Sequence, residues 1–238
     1  MSKFINVVVP SELSLENYTL IIPSVSVGNV GQLTVDLLLA SLKMEKVAII
    51  WHPAIVPCVG NNPINDDKNE ICTACELFIN KEQKLAAIQI RSTIEFNLAL
   101  DFLKRLKLEI LQWQLKNVII LASTFAYEMH NIGHSPYIYL TNETSSSELL
   151  SELKQLEADE TGKYLVYGSG YATKLFEVLS DQVRCTMFVK YTSEGDNRPD
   201  AMQMLSLISK YLNIKIDNVI IPVSWKYVFG NPPSVDIY

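Results

Sequence analysis

The residues of this chain that could do chemistry are few and scattered. Cys72 and Cys75 have CxxC spacing, and His130 and His134 have the spacing of two ligands one helical turn apart. Zinc takes such thiolates and imidazoles in compact tetrahedral sets. Here the two pairs stand far apart in sequence, and Gly133 and Pro136 argue against a helix that would align the histidines. A redox CxxC needs a helix N-terminus to lower a thiol pKa; Cys75 instead opens a strand-like run. Two glycine turns resemble phosphate loops. Gly28, Asn29, Gly31 and Gln32 lie where a strand gives way to a helix, and Gly168-Ser169-Gly170 repeats the arrangement before Ala172. Backbone N–H groups at such a helix start attract anions. Neither turn completes a dinucleotide or Walker pattern. The plainer reading is that the glycines make tight turns and that Asn29 caps a helix with Gln32 three residues on. Ser169 lacks the Gly-x-Ser-x-Gly setting of a nucleophile elbow, and only His52, His130 and His134 could serve as an imidazole base. In Glu194-Gly195-Asp196-Asn197, the two carboxylates could bind a cation or act as acid and base. The competing role is a turn in which Asp196 or Asn197 caps the next helix.

These groups need elements to hold them. Short β-rich runs occupy 18–23 (YTLIIP), 46–51 (KVAIIW), 117–122 (NVIILA), 164–167 and 184–191, and residues 76–80 and 84–91 read as a hairpin. Helical patterns fall at 32–44, 96–115 and 172–179. Asp101, Lys104, Arg105 and Gln112 predict a solvated face for the second of these. Ser145 and Glu148 have capping-box spacing ahead of Leu149, Leu150, Leu153 and Leu156. Pro199 suits a first helical turn, and Ala201, Met204, Leu205, Ile208, Tyr211 and Leu212 form the core stripe behind it. Residues 61–69 and 131–147 read as loops. Alternating β and α elements predict an α/β fold, a three-layer α/β/α sandwich with a mainly parallel central sheet. With neither internal repeat nor low-complexity linker, 1–238 is expected to form a single domain.

Composition narrows the partners. Of 238 residues, 48% are hydrophobic and 19% charged, a globular profile. The net charge of −6 argues against nucleic acid, which needs clustered cations, and against an anionic membrane surface. With no apolar run of about 18 residues to span a bilayer, and no signal-peptide pattern at the N-terminus, a cytoplasmic or nuclear protein is expected. Cys58, Cys72, Cys75 and Cys185 are then expected as free thiols.

Several ordered strings carry a resemblance. Residues 22–33 (IPSVSVGNVGQL) with Asp36-Leu37-Leu38, then 59–63 (VGNNP), 85–92 (LAAIQIRS), 173–175 (TKL), 193–197 with Pro199-Asp200-Ala201, and 222–225 (PVSW) span nearly the whole chain. In that order they resemble the proteasome assembly chaperone 2 family. The resemblance implies a non-enzymatic protein without cofactor or metal, and a phosphorylase-like three-layer fold that explains the glycine turns. It also implies a heterodimer with a chaperone 1-type subunit. That pair binds the α-ring of the proteasome core particle, promotes its assembly and restrains off-pathway species. Some fungal members end in a hydrophobic-Tyr-any residue tail that inserts between α-subunits. Ile237 and Tyr238 match its first two positions, within a tail at about 231–238. Burying the two side chains would contribute about 1.5–3 kcal/mol each. Ordering the tail costs about 1–2 kcal/mol per residue, so the folded body must add contacts and hold the tail at high effective concentration. The alternative is a nucleosidase or phosphorylase that binds phosphate on the glycine turns.

Overall fold

A computed structural model describes residues 3–9, 13–65, 70–129, 135–144 and 147–227. His130, His134, Ser145, Ile237 and Tyr238 lie outside the described residues. The chain runs β1 (Ile5–Val7), β2 (Thr19–Pro23), α1 (Val30–Ser41), β3 (Glu45–Ile50), β4 (Val59–Asn61), β5 (Ile71–Thr73), β6 (Cys75–Asn80), β7 (Leu85–Ile90), α2 (Phe96–Gln112), β8 (Asn117–Phe125), β9 (Tyr137–Thr141), α3 (Glu148–Ser151), β10 (Lys154–Gln155), α4 (Ala172–Leu179), β11 (Cys185–Thr192) and α5 (Arg198–Leu212).

Nine strands form one sheet in the order β1-β3-β6-β7-β2-β8-β11-β9-β10. The four central strands, β7, β2, β8 and β11, run parallel. Antiparallel pairing appears toward the flanks, where β6 joins β7, β3 joins β6, β1 joins β3, and β9 joins β11. The expected β6–β7 hairpin is present in register, Cys75 opposite Ile90 and Asn80 opposite Leu85.

The period of two along the central strands builds two cores. Leu20, Ile22, Val118, Ile120, Met187 and Val189 face α2 and α4. Ile21, Ile119, Leu121 and Phe188 face α1 and α5. Both faces are covered, as a parallel sheet requires. Nine of the twelve residues of α1 are buried, because it lies between the sheet and α5. In α5, Pro199 opens the first turn, Ala201, Met204, Leu205 and Ile208 are buried, and Asn213 ends the helix in the left-handed region at φ 53°.

The structure departs from the sequence reading at several places. Residues 164–167 are not a strand: Tyr164 and Val166 pack on the core, but their backbone joins no ladder. The expected loop at 131–147 contains β9, whose antiparallel ladder with β11 brings Tyr137 and Ile138 inside. The helix expected after Glu148 stops at Ser151, and its cap is Ser147, whose side chain accepts from the Leu150 amide. In α2, Leu98, Leu100, Leu108 and Leu111 are exposed alongside the polar residues, so its outer face is apolar as well as solvated.

Candidate functional site

In an open α/β sheet, ligands bind beyond the carboxyl ends of the parallel strands. Here β2 leads into the Gly28 turn and β11 into the Glu194–Asn197 turn, and the structure brings these distant segments together. Gly28 has φ +64°, and a Cβ there would stand 2.6 Å from Asn197 Oδ1. Asn197 is buried, with its side-chain amide within reach of Thr192 Oγ1 (2.7 Å), the Ser193 carbonyl (2.8 Å) and Asp200 Oδ2 (3.1 Å). Asp200 in turn accepts from Thr192 Oγ1 at 3.0 Å and pairs with the buried Lys190 ammonium at 3.3 Å. Lys190 also donates to Gln203 and lies 4.7 Å from the centre of the Tyr137 ring, whose phenol burial pushes up.

The second glycine turn closes on the first. A Cβ on Gly170, at φ +63°, would lie 2.0 Å from the Val25 carbonyl, and one on Gly168 would lie 2.5 Å from Val27 Cγ2. Two amides of these turns are already used. Val27 N–H donates to the Gly168 carbonyl at 2.9 Å, and Tyr171 N–H donates to Ser24 Oγ at 3.1 Å. The Ser24 hydroxyl in turn donates to the Ser169 carbonyl at 2.7 Å. Beneath them Ser26 and Ser123 share a hydrogen bond of 2.9 Å, and Ser123 Oγ donates to the Val27 carbonyl. Tyr171 donates its phenol to the Pro23 carbonyl at 3.0 Å, and burial holds that phenol well above the usual tyrosine range. The two turns are packed against each other, with Gly28 and Gly168 half-buried and Gly170 exposed.

The remaining sequence candidates are placed one by one. Asn29 stands at the N-cap of α1 in the left-handed region, φ 51°, without a side-chain cap bond, so the expected capping pair with Gln32 is not formed. Gln32 instead reaches across to the Ile90 carbonyl at 2.8 Å, beside the Asp36–Arg91 fork and Gln89. Gly31 allows α1 to approach β8, where a Cβ would lie 2.7 Å from the Leu121 carbonyl. Glu194 and Gly195 are exposed. Asp196 is committed to Arg198 through Nε at 2.7 Å and Nη2 at 2.6 Å, bonds that hold its carboxyl below the usual range. It accepts from the Arg198 amide at 3.2 Å, so Asp196, rather than the Asn197 side chain, caps the first turn of α5. Glu194 and Asp196 therefore make no acid–base pair.

Among the described residues, no group of three or more His, Cys, Asp or Glu is placed to hold a metal. Cys58, Cys72, Cys75 and Cys185 are all free, and burial pushes the Cys75 and Cys185 thiols up, away from thiolate chemistry. His52 is a core residue. The Ala54 amide donates to Nδ1 at 3.1 Å, which leaves the proton on Nε2, 3.1 Å from Asp101 Oδ2.

Sequence reasoning missed two features. The polar residues Ser24, Ser26 and Ser123 interrupt apolar runs, and that interruption was their one visible signal. The other is the outer face of α2. Phe96 is 89% exposed and Leu100 49%, at the mouth of an apolar cleft of about 450 Å³ lined also by Val25, Ile94, Leu103 and Tyr171.

Comparison with known proteins agrees with this geometry. A family model described as the PAC2 family matches residues 20–219. A Xenopus tropicalis protein named Proteasome assembly chaperone 2 is 31% identical, over 90% of this chain and 92% of its own length. The Homo sapiens protein of that name is 29% identical over 93% and 96%, and the Saccharomyces cerevisiae one 27% over 92% and 98%. Among solved structures, Pyrococcus furiosus PbaA, an archaeal homolog of proteasome-assembly chaperone, superposes with a TM-score of 0.65 at 17% identity, covering 90% of this chain and 88% of that one. Pyrococcus furiosus PbaB, an archaeal proteasome activator, gives 0.62 at 14% identity, covering 91% and 92%.

Proposed function

The chain belongs to the PAC2 family, and on that premise we propose that it is a proteasome assembly chaperone rather than an enzyme. The observation that carries this reading is the near full-length likeness to relatives named Proteasome assembly chaperone 2, from vertebrates to yeast. The glycine turns fit its non-enzymatic half, since the Val27 and Tyr171 amides there are already bonded within the chain. Cofactor and metal play no part in the proposal.

In finer form, the chain pairs with a chaperone 1-type subunit as a heterodimer. The pair binds the α-ring of the core particle, promotes its assembly and restrains off-pathway species. Residues 1–238 act as one domain whose C-terminal Ile237 and Tyr238 insert between α-subunits. The site of action is the cytoplasm and nucleus, with neither nucleic acid nor membrane as partner, in keeping with the net charge of −6. Exposed apolar residues such as Phe96 and Leu100 favour a protein whose surface is covered by partners.

Reconstitution tests the proposal. The chain, its chaperone 1-type partner and α-subunits are mixed, and the complexes are weighed by native mass spectrometry. A chain–partner pair on α-ring intermediates is expected. A chain that stays alone, or a pair that ignores α-subunits, sinks the reading.

A further inference from the structure

The acidic turn and the route of the chain after α5 meet at one residue. Beyond Asn213, Ile214 and Ile216 pack against the α1–α5 core. The Ile220 amide then donates to Ser41 Oγ at 2.9 Å, at the far end of α1. The chain next crosses the segment before β5, where the Val223 amide donates to the Ile64 carbonyl at 3.4 Å and the Ser224 amide to the Pro63 carbonyl at 3.1 Å. Trp225 follows, 3% exposed within the α1–α5 core, and its carbonyl accepts from Arg198 Nη1 at 3.2 Å.

Guanidinium geometry makes this a directed contact. Its N–H donors form a rigid planar fork. Nε and Nη2 face the two carboxylate oxygens of Asp196, and that orientation aims Nη1 at Trp225. A lysine ammonium is a point donor and cannot hold both partners at these angles. Asp196 also sits next to Asn197, which fills the space over Gly28, so the latch is tied to the packed glycine turns.

We infer that Asp196 and Arg198 form a latch that seats residues 223–227 and so fixes the point from which the chain continues toward Ile237 and Tyr238. Arg198 is thus a positioning residue for α-ring docking, and the acidic turn acquires a role that neither metal nor acid–base chemistry gave it. The inference rests on the tail-docking reading above. A seated departure point raises the fraction of molecules competent to dock, and apparent affinity scales with that fraction.

The test uses the full chain with its chaperone 1-type partner and purified core particles. Arg198→Ala, Arg198→Lys and Asp196→Asn are each made with and without deletion of Ile237 and Tyr238. In the full chain, Arg198→Ala is expected to raise the Kd for core particles about five- to tenfold, Arg198→Lys nearly as much and Asp196→Asn less. In the deleted chain the same substitutions are expected to change Kd less than twofold. Equal losses in both backgrounds, or no loss in the full chain, overturn the positioning role. Hydrogen exchange at the Val223 and Ser224 amides reads the latch without docking, and Arg198→Ala should accelerate it about tenfold or more. Unchanged exchange overturns the latch itself. If deletion alone leaves Kd unchanged while exchange accelerates, the docking reading fails and the latch stands.

Discussion

At the carboxyl end of the central strands, Ser24, Ser26 and Ser123 are buried and linked by hydrogen bonds, and Asn197 is buried and bonded to Thr192, Ser193 and Asp200, whereas along α2 the chain leaves Phe96, Leu100 and Leu108 in solvent. The two regions invert the ordinary rule of apolar inside and polar outside, and such inversions are the informative ones. The buried polar region is satisfied. Its hydroxyls and amides bond locally, and each glycine there makes room for a neighbouring group. The exposed apolar region is unsatisfied, with side chains that gain nothing from water. The region that looked like chemistry is therefore a joint. The region that looked like an ordinary helix face is the one that leaves apolar side chains uncovered.

Substitutions can break or sharpen this contrast. The largest effect is expected for Gly170→Ala. It places an L side chain at φ +63°, costing about 1–2 kcal/mol, with its Cβ 2.0 Å from the Val25 carbonyl. Overpacking adds about 1–3 kcal/mol, so urea unfolding should show a loss of about 2–5 kcal/mol. A loss below about 1 kcal/mol would mean that the joint can relax. Within α2, Leu103→Ala should cost about 2–5 kcal/mol, since Leu103 is 2% exposed, and Leu100→Ala far less. Equal losses at both positions would show that the outer face is covered in the isolated chain. Asn197→Ala comes next, at about 1–3 kcal/mol, because Asp200 and the Ser193 carbonyl each lose one donor. Phe96→Ser should shift stability by less than about 0.5 kcal/mol. Smallest of all is the response to phosphate, nucleosides and sugar phosphates, for which no rise in melting temperature is expected. A ligand at a hundred times its Kd would stabilise by about 2.7 kcal/mol, and such a shift would reopen the glycine turns as a binding site.

The alternation of β and α elements was legible because the central strands are short, branched and continuous, as in 117–122, and because α5 carries its stripe at spacings of three and four. The run at 164–167 misled because β-rich residues also suit an irregular segment laid on a core. There Val166 and Tyr167 give their carbonyls to Ser169 and Thr124 instead of a ladder. The strand at Tyr137–Thr141 was hidden for the opposite reason, since the polar and glycine-bearing sequence before it reads as a loop. In the candidate site, the turns themselves were visible but their meeting was not. Gly28 and Asn197 come together only through the adjacency of β2, β8 and β11, and nothing local in either turn encodes a contact at that separation. The Arg198–Trp225 bond was invisible on the same ground.

The burial of Trp225 also bears on how the chain is made. Strand β2 lies mid-sheet, and its Thr19 side chain bonds to Asn117, 98 positions later. At about 5–20 residues per second, β2 waits roughly 5–20 s on the ribosome for β8. The α1–α5 core waits longer still, because Trp225 closes it only after both helices have been synthesised. Such non-local closure folds slowly, so a nascent chain keeps apolar surface open until almost all of it has emerged. During that interval the sheet face that Trp225 later closes is open to other apolar surfaces.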